Sequence, residues 1–333
     1  MCKPASFESL LQIMSQSTKA MPNFFVVGAP KAGTTSLYRY LRQHPQIYMS
    51  PIKEPNYFAA EVRPENFSEE FQQRVSQDMR ALQEYLRTPM SEWRFGGMVL
   101  EWEDYLRLFQ NVKEEKAVGE ASVCYLWSKT AAQGMFSNIP DSKIIMILRD
   151  PAERAFSQYL HTVASGLVRE SFREQIQATL RRKSQKFGTL YPFLEFGLYY
   201  EQVKRYLELF PGEKVRIYLF EDYRKHPGQL LIDIFRFLNV DASFLPNTSQ
   251  KHLEPQIPQS VAISYALKKY GIWQTIKELT PQALRPLFRT LAFKQRTSLL
   301  MDSRDRAYLV DYYRQDTLNL SRLLDRDLTG WLH

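Results

Sequence analysis

Cysteine is scarce in this chain: Cys2 and Cys124 are the only two in 333 residues. Two thiols cannot build the framework of bridges that staples small secreted domains. Long apolar runs are missing too. The first apolar stretch, Phe24 to Val27, is far shorter than the roughly 20 residues a bilayer demands, and nothing before it reads as a secretory leader. These two absences lead to the expectation of a chain without a membrane span, working in a reducing cytoplasm. No Gly/Ser/Pro-rich linker, low-complexity tract or internal repeat interrupts the sequence, so one domain is expected over residues 1–333, with a core at about 22–240 and a helical C-terminal part at 241–333. Charge is unbalanced, 44 Lys and Arg against 36 Asp and Glu, a formal excess of +8 that favours anionic partners by steering. Nucleic acid would need a clustered basic face. The one dense cluster, Arg181-Arg182-Lys183 with Lys186, lies in a helix-like segment and reads as a solvated helix face, so nucleic acid is not expected.

What the chain does contain begins with Gly28-Ala29-Pro30-Lys31-Ala32-Gly33-Thr34-Thr35, which follows Phe24-Phe25-Val26-Val27 and opens a helical stretch to about His44. Strand, tight turn and helix leave the backbone N–H groups of Gly33, Thr34, Thr35 and Ser36 at a helix N-terminus, where orphan donors and the helix dipole favour an anion. In a nucleotide-triphosphatase loop the lysine follows the second glycine and a Ser/Thr follows the lysine. Here Thr34 fills that slot and the ammonium comes earlier, from Lys31.

A second element is Lys143-Ile144-Ile145-Met146-Ile147-Leu148, the continuous apolar run of a strand buried on both faces of a parallel sheet. It ends in Arg149-Asp150-Pro151. Asp150 suits an N-cap and Pro151 the first helical position, so the spacing predicts a helix from Pro151 to about Ala164, with Arg154, Ser157 and His161 on one face. Arg149 then stands at the carboxyl end of a strand, where open α/β sheets bind ligands, and its planar fork suits a phosphate dianion. An ion pair with Asp150 or Glu153 is the alternative for that side chain.

Further strands are expected at residues 117–118 extended into 123–126 and at 215–220, and helices around 69–86, 102–111, 168–186, 199–210, 227–238 and 304–326. This alternation predicts an α/β fold of three layers, a central parallel sheet flanked by helices. Pro51-Ile52-Lys53-Glu54-Pro55-Asn56-Tyr57-Phe58 is bracketed by prolines and reads as an extended loop. Residues 59–115 and 162–200 carry few motifs but many aromatics, among them Tyr85, Trp93, Phe95, Trp102, Tyr191 and Phe193, and are expected to build an acceptor side.

These motifs together resemble those of sulfotransferases that use 3′-phosphoadenosine 5′-phosphosulfate (PAPS), of the bacterial type related to the heparan sulfate branch. The Pro-Lys-x-Gly-Thr-Thr loop is similar to the family's 5′-phosphosulfate loop, and Arg149-Asp150-Pro151-Ala152-Glu153-Arg154-Ala155-Phe156-Ser157 to its 3′-phosphate motif. The resemblance implies a P-loop-type fold and PAPS as sulfuryl donor, with no metal. It assigns the cofactor to Lys31, Ala32, Gly33, Thr34, Thr35, Ser36, Arg149 and Ser157. Lys53-Glu54-Pro55 resembles the family's Lys-Glu-Pro segment, which implies that Glu54 is the general base and Lys31 the second catalytic group; Asn56 stands where the family often has His. Lys116 to Tyr125 resembles the Gly-Glu-x-[Ser/Thr]-Pro-x-Tyr segment with Val123 in place of proline, leaving Glu120 and Ser122 open between acceptor contact and local capping. Phe220-Glu221-Asp222 resembles a Tyr-Glu-Asp segment near the adenosine, with a plain core aromatic the favoured reading of Phe220. The implied acceptor is a hydroxyl or amine of a glycan, lipid, secondary metabolite or carrier-bound group, with an acidic one favoured by the charge. A P-loop small-molecule kinase and a non-catalytic PAP-binding or anion-binding module are the alternatives. The disulfide that closes the cofactor loop in heparan sulfate relatives has no cysteine pair here.

Overall fold

A computed structural model describes residues 20–248 and 300–333, together with 257–258, 260–261, 265–267 and 293–294. In chain order the elements are β1 (Phe24–Gly28), α1 (Thr34–Leu41), β2 (Ile47–Met49), β3 (Ile52–Lys53), α2 (Glu69–Leu86), β4 (Arg94–Phe95), α3 (Trp102–Arg107), β5 (Ala117–Ala121), α4 (Cys124–Trp127), α5 (Ala131–Asn138) and β6 (Lys143–Leu148). They continue with α6 (Pro151–Ala164), α7 (Phe172–Arg181), α8 (Tyr199–Leu209), β7 (Val215–Leu219), α9 (Phe220–Lys225), α10 (Pro227–Phe237), β8 (Ile257–Pro258), β9 (Phe293–Lys294) and α11 (Ser303–Leu324).

Five strands form the central sheet in the order β2-β5-β1-β6-β7, every neighbouring pair parallel. β1 is completely buried and β6 nearly so, and both read as unbroken apolar runs rather than alternating ones; β5 is equally buried but carries Gly119 and Glu120 within it. Helices cover the sheet, and the main core joins β1, β5 and β6 to Leu37, Tyr38, Leu126, Tyr206 and Ile234. A second apolar cluster, Ala152, Ala155, Phe172, Ile176, Phe193, Leu194, Leu309 and Tyr313, seats α11 on α6 and α7. The α/β class and the parallel sheet agree with the sequence reading.

Boundaries follow local chemistry. Asp150 caps α6, its Oδ1 accepting from Ala152 N at 2.9 Å and Glu153 N at 3.2 Å, and Pro151 occupies the first turn. Ser171 and Glu174 form a capping box that starts α7 at Phe172, so the helix expected over 168–186 is shorter, ending at Arg181. The helix expected over 102–111 likewise ends at Arg107. Of residues 123–126, expected as strand, Val123 is the N-cap and the rest lie in the helix α4. A short buried apolar run is ambiguous between the two states. The sheet ends at Ala121, and the burial of Tyr125 and Leu126 beneath α8 settles the choice. The strand expected over 215–220 ends at Leu219, and Phe220 opens the helix α9. Most of residues 249–299, including any segment that would cover the cofactor from the C-terminal side, and Cys2 fall outside the described residues.

Candidate active site

The carboxyl ends of β1, β5 and β6 bring the sequence motifs to one edge. Between β1 and α1 the chain turns with Lys31 at φ 64° and Gly33 at φ 85°. α1 has no side-chain cap, and its first intrahelical bond is Leu37 N to Gly33 O at 3.1 Å, so the preceding amides stand at an uncapped N-terminus. Thr34 is buried, while Thr35, Ser36 and Lys31 are half-buried. A Cβ on Gly33 would lie 2.8 Å from Tyr223 Cε1 and 3.2 Å from Phe220 Cε2, so the turn is shaped against α9 as well as by its own backbone. Gly33→Ala therefore combines a left-handed strain with a clash, and should destabilise the fold by about 1–3 kcal/mol in denaturant titrations. An unchanged unfolding midpoint would show that the turn tolerates a side chain.

Arg149 ends β6 and is 9% exposed. Its Nη1 donates to Lys31 O at 3.0 Å, joining the turn after β1 directly to the start of the Arg149 to Ser157 motif. Its Nη2 lies 3.6 Å from Glu153 Oε2, the ion pair anticipated from the sequence, and its guanidinium stacks on Phe220 at 4.8 Å from the ring centroid. Phe220, favoured as a plain core aromatic, is thus half-buried against the core and also the platform under Arg149. Ser157 is buried in the second turn of α6. One turn further on, His161 is exposed as a residue, yet partial desolvation of its ring and the nearby Lys31 ammonium push its pKa down to about 4. The neutral imidazole therefore shares a neighbourhood with Lys31.

The third motif is tied to β5. Glu54 N donates to Ala121 O at 2.8 Å, and Ala121 is the register partner of Val26 on β1, so Glu54 emerges beside the loop. Glu54 and Asn56 both have positive φ, 69° and 55°. That turn is held by Asn56, whose Nδ2 donates to Glu54 O and Gly97 O, each at 3.0 Å, and whose N donates to Ser122 Oγ at 3.2 Å. Asn56 is a clamp for the Glu54 turn, which gives this position a structural role independent of proton transfer. Lys53 Nζ contacts Glu54 Oε1 at 2.5 Å; the lysine side chain is wholly buried and the glutamate is 15% exposed. On the neighbouring strand Phe95 is 56% exposed, with its ring centroid 5.0 Å from Lys53 Nζ. Of the other aromatics assigned to an acceptor side, Phe193 is core, and Tyr85, Trp93 and Trp102 are half-buried against it.

Glu120 does not reach an acceptor surface. It is fully buried, accepting from Tyr125 Oη at 2.7 Å, Ser122 Oγ at 2.9 Å and Tyr105 Oη at 3.1 Å. Burial pushes its carboxyl up to about 7, against the opposing pull of those three hydroxyls and of Lys53. Through Ser122 it braces the Asn56 amide and hence the Glu54 turn. Sequence reasoning missed this network because Tyr105 comes from α3, which no local pattern links to β5. Its sign is testable: between pH 4.5 and about 7 the native state holds a proton the unfolded chain has lost, so this group lowers stability as pH rises through that window. Glu120→Gln should flatten the decline in unfolding free energy between pH 5 and 8 by roughly 3 kcal/mol. Identical slopes in the two proteins would assign the pH dependence elsewhere.

The basic cluster proves only partly solvated. Arg182 pairs with Glu195 and stacks on Tyr191 at 5.0 Å, while Arg181 and Lys183 are exposed. Among the described residues no group of His, Cys, Asp and Glu is arranged to hold a metal, and no helix is long and apolar enough to cross a membrane.

Comparisons with known proteins point to one family. Over 94% of its length the chain superposes on a sulfotransferase from Alicyclobacillus acidocaldarius, covering all of that chain with a TM-score of 0.66 and 32% identity. It is 28% identical to human bifunctional heparan sulfate N-deacetylase/N-sulfotransferase 3 over 320 residues, 94% of this chain and 31% of that protein. With human carbohydrate sulfotransferase 15 the identity is 24% over 82% of this chain and 53% of that protein. The chain thus spans about half or less of the length of these curated relatives. The model of the sulfotransferase family matches residues 22–243, a segment that contains the turn at Lys31, Glu54 and the Arg149 to Ser157 motif, and the chain belongs to that family.

Proposed function

We propose that the protein transfers the sulfuryl group of PAPS to a hydroxyl or amine. The observation that supports this reading best is the bond from Arg149 Nη1 to Lys31 O, which joins the loop after β1 to the motif after β6, while Glu54 is bonded to the end of the adjoining strand β5. A nucleotide bearing phosphates at both its 3′ and 5′ positions needs two such sites. The Gly33 turn, which has no room for a Cβ, and the uncapped start of α1 suit close approach by the 5′-phosphate.

PAPS supplies the sulfuryl group, and adenosine 3′,5′-bisphosphate (PAP) is released. The amides of Gly33, Thr34, Thr35 and Ser36 hold the 5′-phosphate. Lys31 offsets the charge that develops on the phosphate oxygen as its bond to sulfur breaks. Arg149 and Ser157 hold the 3′-phosphate, Arg149 as a planar fork already oriented by Phe220. Glu54 takes the acceptor proton as the acceptor oxygen or nitrogen bonds to sulfur. All of these are positioning and electrostatic tasks, which also supply most of the rate acceleration in the analogous phosphoryl transfers. The acceptor belongs to the glycan, lipid or carrier-bound class, with Phe95 the exposed ring closest in sequence register to Lys53; the names of the relatives favour a glycan. The scheme needs no metal, and a kinase with the same sheet would need both ATP and magnesium.

Arg149→Ala tests the two-phosphate division. It should erase most of the preference for PAPS over adenosine 5′-phosphosulfate, on the order of 10- to 100-fold for a charge-assisted contact to a phosphate. Competition between the two nucleotides measures it, and a variant retaining the wild-type preference removes Arg149 from the 3′-phosphate.

A further inference from the structure

Residues 303–333 lie beyond the segment matched by the family, yet two struts from α11 converge on the Arg149–Asp150 dipeptide. The first is Arg306. Its Nη2 donates to Asp150 Oδ2 at 2.8 Å, while Nη1 lies 3.5 Å from Glu153 Oε1. The second runs through Asp316, which accepts from Tyr199 N at 2.7 Å and Tyr200 N at 3.2 Å and so caps α8 from outside. Tyr199 Oη in turn donates to Arg149 O at 3.0 Å. One helix thereby fixes both the carbonyl of Arg149 and the carboxylate of Asp150.

Glu153 is shared between two arginines: Oε1 faces Arg306, and Oε2 faces Arg149 at 3.6 Å. It is therefore a built-in competitor for the Arg149 fork. A phosphate dianion arriving there must displace the carboxylate, and displacement is easier when a second cation keeps it. Asp150 is divided in the same way, with Oδ1 capping α6 and Oδ2 held by Arg306. Asp150 is only 7% exposed, so its pair with Arg306 is shielded from the solvent that weakens surface pairs.

We propose that Arg306 is a positioning residue of the nucleotide site: it retains Glu153 and Asp150 so that the Arg149 guanidinium is released to the 3′-phosphate. The inference rests on the PAPS reading and adds α11 to the nucleotide site. Its mark is selectivity for the 3′-phosphate, because a helix that only stabilised the fold would affect all nucleotides alike.

Calorimetry on the full chain with PAP and with adenosine 5′-monophosphate tests it. Arg306→Ala should weaken PAP about 10-fold and leave the monophosphate unchanged, and Arg306→Lys should recover part of the loss. Adding Glu153→Gln to Arg306→Ala should restore PAP binding, since the competitor is then gone and the two effects couple. Arg314→Ala, which removes the exposed Arg314–Asp311 pair on the same helix, should leave PAP binding as in the wild type. Equal weakening of both nucleotides by Arg306→Ala, or no rescue by Glu153→Gln, overturns the proposal. A wild-type protein that does not distinguish PAP from the monophosphate overturns the PAPS reading itself, and this inference with it.

Discussion

Lys31→Ala should lower sulfuryl transfer by roughly 10²- to 10³-fold while leaving the melting temperature within a few degrees of the wild type, the loss typical for removal of one group aimed at developing charge. The separation of the two effects follows from the geometry. Lys31 contributes to the fold through its main chain, whose carbonyl accepts from Arg149 at 3.0 Å, and alanine keeps that carbonyl. Its backbone already sits at φ 64°, a conformation no easier for lysine than for alanine, so the substitution adds little strain. Lost with the side chain is the ammonium proposed to offset charge on the leaving oxygen, and with it the positive charge that helps keep His161 neutral. Initial rates with labelled PAPS and thermal melts on the same samples read both quantities. Turnover retained at the wild-type level would take Lys31 out of the mechanism.

Glu54→Gln is expected to separate chemistry from binding. Glutamine fits the same turn, because the turn is built by Asn56, by the bond from Glu54 N to Ala121 O and by Ser122, none of which uses the Glu54 carboxylate. The Lys53 contact weakens from an ion pair to an ordinary hydrogen bond but retains an acceptor. Nucleotide affinity should stay within about 2-fold, whereas turnover should fall by roughly 10²- to 10⁴-fold, the range for loss of a positioned general base. Comparing single-turnover rates with calorimetric PAP affinity distinguishes the two. Wild-type rates in the variant would assign proton transfer to another group, and His161, neutral and close to Lys31, would be the first to examine.

The parts of this protein that were legible in its sequence are those fixed by neighbours along the chain. β6 and α6 have the bounds expected of an unbroken apolar run followed by Asp150 and Pro151, because burial on both faces and an N-cap are local signals. α2 was readable for the same reason, as an amphipathic stretch of 18 residues. Val123 to Leu126 was not, since a run that short is equally compatible with strand and helix until Tyr125 finds Glu120. Glu120 itself was open between acceptor contact and local capping; only the convergence of three hydroxyls from α3, α4 and the end of β5 shows that it faces inward. The clasp of Arg306 on Asp150 spans 156 residues, and no periodicity or cap pattern links positions that far apart. The candidate site divides the same way: its loops could be read, but the brace behind each loop had to be seen.

The most direct test of the two-phosphate cradle is a calorimetric comparison of PAP with ATP plus magnesium on the wild-type protein. PAP should bind without added metal and at least about 100-fold more tightly than ATP, since only PAP presents one phosphate to the Lys31 turn and another to Arg149 and Ser157. Tighter binding of ATP, dependent on magnesium, would contradict the account and return the Lys31 loop to the chemistry of a kinase.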